Sequence, residues 1–408
     1  MMHLTTLANG LRVASRPMQS VETIAVGLYA PTGSRFEAKG KNGLAHLFEH
    51  MVFKGAGGRS AREISELVED VGGDLNASTD REMTGFYASL LAPDLSLGVG
   101  LLADLIRRPH FEPAHLELEK KVVLQELAEA RDTAGDIVFD RLQEAAFPDQ
   151  PLGLSVLGSA DSLAGISVGD LHDWLGEQYR ASNLVLVAAG KLEHERLVEL
   201  VDTAFGDMAA GPRPTASPAA FVGGHRYERR RGEQAHLAIA VAAPAWGDED
   251  AYAAQLFADV AGGGSSSQLF QRLREDQGLA YSVSAAAIPF ADSGLFYAYA
   301  AVDRGDAERA RGEIEQVLAE CAAALSQRDL ERARAMAKAG MMMSLESCWG
   351  QAYYVATRLI REGELIEPGR IVERLDAITL DEVRSVGSRM LAGPRAFSSV
   401  GVKLALAA

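Results

Sequence analysis

The segment His46-Leu47-Phe48-Glu49-His50 sets two imidazoles four residues apart, with a carboxylate between them. On a helix, residues four apart lie one turn above each other on the same face. His46 and His50 then aim two nitrogens at one point, as a tetrahedral Zn²⁺ requires of two ligands. Glu49 adjoins His50 and lies three residues from His46, so its carboxylate reaches a water held at that point without being a ligand itself. This is the inverted H-x-x-E-H order. A catalytic zinc takes three protein ligands and keeps a fourth position open. The helix-like stretch ELEKKVVLQELAEARD offers Glu119 and Glu126, seven residues apart on one face, with Val122 and Val123 between them. One of the two carboxylates can ligate the metal while the other orients a ligand from behind.

These residues need elements to hold them. LAHLFEHMVF, from Leu44, has helical patterning, as do AREISELVEDVG and PDLSLGVGLLADLIRRP. ETIAVGLYAPTGSR, MTGFYASLLA and NLVLVAAG alternate or run apolar as strands do. A Pro- and Gly-rich stretch without hydrophobic periodicity, DMAAGPRPTASPAAFVGG, spans 207–224 and marks a linker. After it the pattern recurs: AHLAIAVAAPAWGD, a helical DAYAAQLFADVAGG and a final AFSSVGVKL. The spacing predicts an α+β fold made of two homologous sandwich domains related by duplication, 1–208 and 224–408, joined by 209–223.

Composition narrows the functional class. The chain has 408 residues, of which 48% are hydrophobic and 24% charged, enough to build cores and too few charges for disorder. No apolar run approaches a membrane span, and the opening MMHLTTLANGLRV has no basic segment followed by an apolar stretch. The two cysteines, Cys321 and Cys348, point to a reducing compartment, and a bacterial cytoplasmic enzyme is expected. The net charge of −16 argues against nucleic acid as a partner. Residues 59–140 carry 17 Asp/Glu against 8 Lys/Arg, more than half of that net charge, so basic peptides are a candidate substrate class.

With those residues in view, the chain resembles the M16 (pitrilysin or insulinase-like) zinc peptidases. It is most similar to the short branch that includes the mitochondrial processing-peptidase β subunit and bacterial relatives. The resemblance runs through LANGLRV, GLAHLFEHMVFKG, GGDLNASTDREMTGFYASLL, EKKVVLQELAEARD, PLGLSVLG, YRASNLVLVAAG and GGGSSSQLFQRLREDQGLAYSVSA. It implies one zinc per chain held by His46, His50 and Glu126, with Glu49 as general base and Glu119 as an accessory carboxylate. It implies that Asn76 and Ala77 line the cleft where a peptide adds as an extra strand. Arg274 and Tyr281, seven apart, would complete the site from the C-terminal part, although by themselves they read as a surface ion-pairing residue and a core aromatic.

The resemblance also implies that the chain supplies half of a clamshell chamber, as a homodimer or as a heterodimer with an M16-like paralogue. The expected activity is zinc-dependent endopeptidase cleavage of unfolded peptides or precursor segments. A noncatalytic scaffold subunit and a zinc hydrolase of non-peptide substrates are the alternatives. Other signals carry less. Gly262–Ser267 lacks the Gly-Lys-Ser/Thr of a phosphate loop, and Val198 stands where an HExxH string from His194 would need its second His. Asn76-Ala77-Ser78 reads as a glycosylation acceptor only in a secreted chain. Met341-Met342-Met343 reads as core filling.

Overall fold

Two β-sheets with a common strand order organise the chain, and the computed structural model describes residues 1–404. The first sheet contains β1 (His3–Thr6), β2 (Arg12–Pro17), β3 (Thr23–Ala30), β4 (Asp74–Thr79), β5 (Thr84–Leu91) and β6 (Val185–Gly190), in the order β1-β2-β6-β3-β5-β4. The second contains β7 (Gly224–Glu228), β8 (Gln234–Ala242), β9 (Ala280–Pro289), β10 (Gly294–Asp303) and β11 (Arg395–Val400), in the order β9-β10-β8-β11-β7. Without β1 the two orders match strand for strand. In each sheet one pair is parallel, β2 with β6 and β7 with β11, and the others are antiparallel. Val26 pairs with Ala88 and Ala188, and Ile239 pairs with Ala298 and Phe397, so equivalent central strands sit between equivalent neighbours.

The chain forms two compact units that are not contiguous halves. The first comprises 1–127, 155–217 and 342–367, and the second comprises 128–154, 218–341 and 368–408. This differs from a division into 1–208 and 224–408. One change of unit, at 217/218, falls inside the expected linker, but two helices belong to the sheet of the other half. In the first unit one sheet face buries Phe86, Ala88 and Leu90 beneath the helix Leu44–Val52 and the helix Leu95–Arg107. Its other face presents Ala14, Ala25, Val185, Val187 and Ala189, and receives Ala352, Val355, Ala356 and Leu359 of the helix Cys348–Arg361. In the second unit the helix Ala134–Ala146 sets Ile137, Val138, Leu142 and Ala145 against Ala238, Ala240, Ala396 and Val400. Alanines on both receiving faces let a helix approach closely, and the helix burial removes apolar surface that the strands alone leave open to water. The two exchanged helices lie on equivalent strands: β2, β3 and β6 in one unit, β7, β8 and β11 in the other.

The methionine run is a second correction. Met342 and Met343 are exposed on the helix Gln327–Ser344, whose buried residues are Leu330 and Ala333 near its start. Among the described residues no helix is long and apolar enough to cross a membrane.

Leu359 is fully buried in the first unit although it lies late in the chain. Leu359→Ala is expected to destabilise that unit by about 2–5 kcal/mol. Amide exchange should accelerate in β6, far from Leu359 in sequence. Unchanged protection in β6 would refute the packing role assigned to this helix.

Candidate metal centre

The motif helix, Leu44–Val52, turns Leu44, Ala45, Leu47, Phe48, Met51 and Val52 into the core. That leaves His46, Glu49 and His50 on its other side. Its first residue follows Gly43, at φ 91°, where a Cβ would also come 2.9 Å from the Leu157 carbonyl oxygen. Glycine can offer no side-chain cap, and Glu37 supplies one from outside the helix. The Glu37 carboxyl group accepts from the Gly43 N–H at 3.0 Å, the Ala45 N–H at 2.8 Å and the Asn42 amide at 3.0 Å. Carboxyl oxygens at a helix N-terminus satisfy N–H groups that have no partner within the helix.

The long helix Pro113–Asp132 carries the other carboxylates. Its buried row is Leu116, Glu119, Val123 and Leu127, so Glu119 occupies a place that spacing alone would give to an apolar residue. Glu119 is 6% exposed. One oxygen accepts from His50 Nδ1 at 3.1 Å, and the other pairs with Lys54 Nζ at 3.0 Å. A carboxylate only accepts, so Nδ1 of His50 donates this bond, an arrangement that in the neutral ring leaves the lone pair on Nε2. Glu126 Oε2 lies 3.6 Å from His50 Nε2 and 3.8 Å from His46 Nε2.

Ligand atoms of His46, His50 and Glu126 all lie within 4.8 Å of one another. Donors at Zn–N and Zn–O distances in a tetrahedral site stand about 3.3–3.6 Å apart, so a small closing movement brings the three to bonding geometry. Burial, and then the neighbouring His50, hold the His46 imidazolium pKa down at about 4, which leaves a neutral ring suited to ligation. Glu49 Oε2 is buried with no hydrogen-bond partner. Burial raises the Glu49 pKa; the Thr79 hydroxyl and His50 oppose this, and Glu126 adds to it. The residues present therefore fit a zinc ion, with two histidines and a carboxylate as ligands and a second carboxylate beside the open position.

The structure brings together His46, Glu49, His50, Glu119 and Glu126, all in the first unit. Asn76 and Ala77 lie on β4, the last strand of the sheet, beside the motif helix. The Ala77 N–H donates to Asn76 Oδ1 at 2.8 Å. Arg274 and Tyr281 lie in the second unit and meet there, the guanidinium 5.5 Å from the Tyr281 ring centre and 4.9 Å from that of Phe270. Tyr281 is 75% exposed at the start of β9 and is not a core aromatic. Glu37 and Lys54 escaped the sequence reading. Glu37 carries no local signature, because its acceptors' partners begin five residues on; Lys54 meets a partner on another helix.

Residues 12–160 match the family described as Insulinase (Peptidase family M16), and residues 165–337 match Peptidase M16 inactive domain. A Rickettsia bellii protein described as an uncharacterized zinc protease is 31% identical over 400 residues, spanning 98% of this chain and 97% of that one. The probable mitochondrial-processing peptidase subunit beta of Arabidopsis thaliana is 32% identical, spanning 95% of this chain and 76% of its own length. A protease from Helicobacter pylori superposes with a TM-score of 0.89 over 99% of each chain at 21% identity. A peptidase M16 inactive domain from Pseudomonas fluorescens superposes at 0.92 over 100% of this chain and 99% of that one, at 18% identity. At these identities the two superpositions concern the fold.

Burial pushes the Glu37 carboxyl up to about 8, against the opposing effect of its bonds from Ala45, Asn42 and Gly43. A carboxyl whose folded pKa exceeds its ordinary value of 4.5 stabilises the fold while protonated, and that contribution is lost as pH rises through about 8. Glu37→Gln lacks this titration. The melting temperature of the native protein, relative to the variant, should fall as pH rises from 4.5 to 8 and then level off. A difference that stays flat across that range would refute the assignment.

Proposed function

Because the chain belongs to the M16 family of insulinase-like peptidases, we propose that it is a zinc-dependent endopeptidase acting on unfolded peptides or precursor segments. The observation that carries this reading is the convergence of His46, His50 and Glu126 beside the unpartnered Oε2 of Glu49. Zinc bound by those three residues would supply Lewis acidity for a scissile carbonyl and make a water acidic enough to attack at neutral pH. Glu49 takes the proton of the attacking water on its free carboxylate oxygen and later delivers it to the leaving amine. A raised pKa brings Glu49 closer to working pH, as both transfers require. Glu119 fixes the His50 ring, and Lys54 fixes Glu119.

The last strand, β4, offers main-chain groups to an extended peptide, with Asn76 and Ala77 at the contact. Asn76 releases the Ala77 N–H by a side-chain rotation. Arg274 and Tyr281 are assigned donors for the tetrahedral oxyanion, supplied by a second copy of the chain. The acidic stretch 59–140 favours basic peptides through its field.

A quenched, mixed-sequence peptide library tests the reading, run with and without a chelator and with zinc assayed in each sample. Native protein should cleave, and the chelator should abolish cleavage. Glu49→Gln should keep about one zinc per chain and lose about 10²–10⁴-fold in turnover. At low salt, basic peptides should be cleaved faster than matched acidic ones. Zinc-loaded native protein that cleaves no peptide would refute the function, and equal rates for basic and acidic peptides would refute the charge preference. Light scattering should give the mass of a dimer; a monomer with full activity would remove the proposed role of a second copy.

A further inference from the structure

The helix Cys348–Arg361 covers β2, β3 and β6, and its first turn reaches β5. There the Trp349 indole stacks on Tyr353, with centroids 5.1 Å apart and planes 8° apart. It also meets Tyr87 of β5 edge-on at 6.0 Å. Trp349 is nevertheless 41% exposed. Tyr87 stands opposite Asn76 in the β4–β5 register, so the two side chains share one face of the sheet. That face is opposite the one where Phe86, Ala88 and Leu90 enter the core beneath the motif helix. The same face also receives the Cys348–Arg361 helix, and it is bordered on one side by the rings of Trp349 and Tyr87 and on the other by the last strand of the sheet.

An extended peptide paired with β4 would place every second side chain over this face. It would run about 5 Å beyond β4 and about 10 Å from β5. A short side chain therefore stops over Asn76, and only a long one crosses to the rings. A Phe, Tyr or Trp side chain spans that gap with two rotatable bonds, so it orders at lower entropic cost than Lys or Arg. It also adds a ring to an array that already combines stacked and edge-on contacts.

We infer that Trp349 and Tyr87 form a subsite that selects an aromatic side chain of the bound peptide, an inference that rests on the peptidase reading above. The test uses zinc-loaded full-length protein and one cleaved peptide whose residues are replaced in turn by Ala, Leu, Lys or Phe. At one position kcat/KM for Phe should exceed that for Ala by about 2- to 10-fold beyond the gain seen with Leu, the range of one aromatic pair. Trp349→Leu, which keeps an apolar cover on Tyr353, should abolish that excess, and Trp349→Phe should retain it. Zinc content and melting temperature verify that each variant is folded. An excess that survives in Trp349→Leu overturns the subsite, as does a preference for Lys over Phe at that position, or no aromatic excess at any position. No cleavage of any peptide would overturn the peptidase reading itself, and the subsite with it.

Discussion

The geometry of the site depends on the rotation of one short helix about its axis. Six of the nine residues of Leu44–Val52 are buried apolar side chains, and their packing decides which way the other three point. A turn of a few tens of degrees would part His46 and His50 from Glu126, which stands on a separate helix. Rotation is fixed by the core. Axial position is fixed at the N-terminus, where Gly43 lets the chain enter and Glu37 takes up the free N–H groups. Packing alone tolerates small slides, and hydrogen bonds to a buried carboxyl group tolerate few.

Polar groups are placed so that each limits its neighbour. Glu119 replaces an apolar residue in the buried row of the long helix, which is unfavourable unless both oxygens are engaged. Lys54 takes one and the His50 ring takes the other. The imidazole that results has a single tautomer and a fixed plane. Glu49 is handled differently: it is half-buried with one oxygen unengaged, and so is available to a reactant. The two carboxylates differ in role because one is fully satisfied and the other is not.

Much of this was legible in the sequence, for physical reasons that can be named. His46, Glu49 and His50 are local, and helical periodicity alone puts them together. Strands in each half follow from apolar alternation and its recurrence; their order does not, and the matching orders of the two sheets agree with the duplication. Glu119 and Glu126 were visible as a pair, but seven residues place both on one face, and spacing does not say which is buried. The family resemblance gave them separate roles, and only the structure shows that Glu119 is the buried one. Glu37 and Lys54 were illegible because their meaning lies in partners outside any local pattern. The exchanged helices were illegible for the same reason: an amphipathic stretch shows that it packs, not which sheet it packs on.

That exchange has a consequence for how the protein is made. The sheet of the first unit is complete in strands once Gly190 has been synthesised, but the helix that covers one of its faces begins at Cys348. At about 5–20 residues per second, the ribosome takes on the order of ten seconds to supply it. During that interval Ala14, Ala25, Val185 and Val187 form an apolar surface on a nascent chain. Tyr29 and Met83 belong to the same cluster, so an apolar patch of this kind is open to premature association until the chain's own helix covers it.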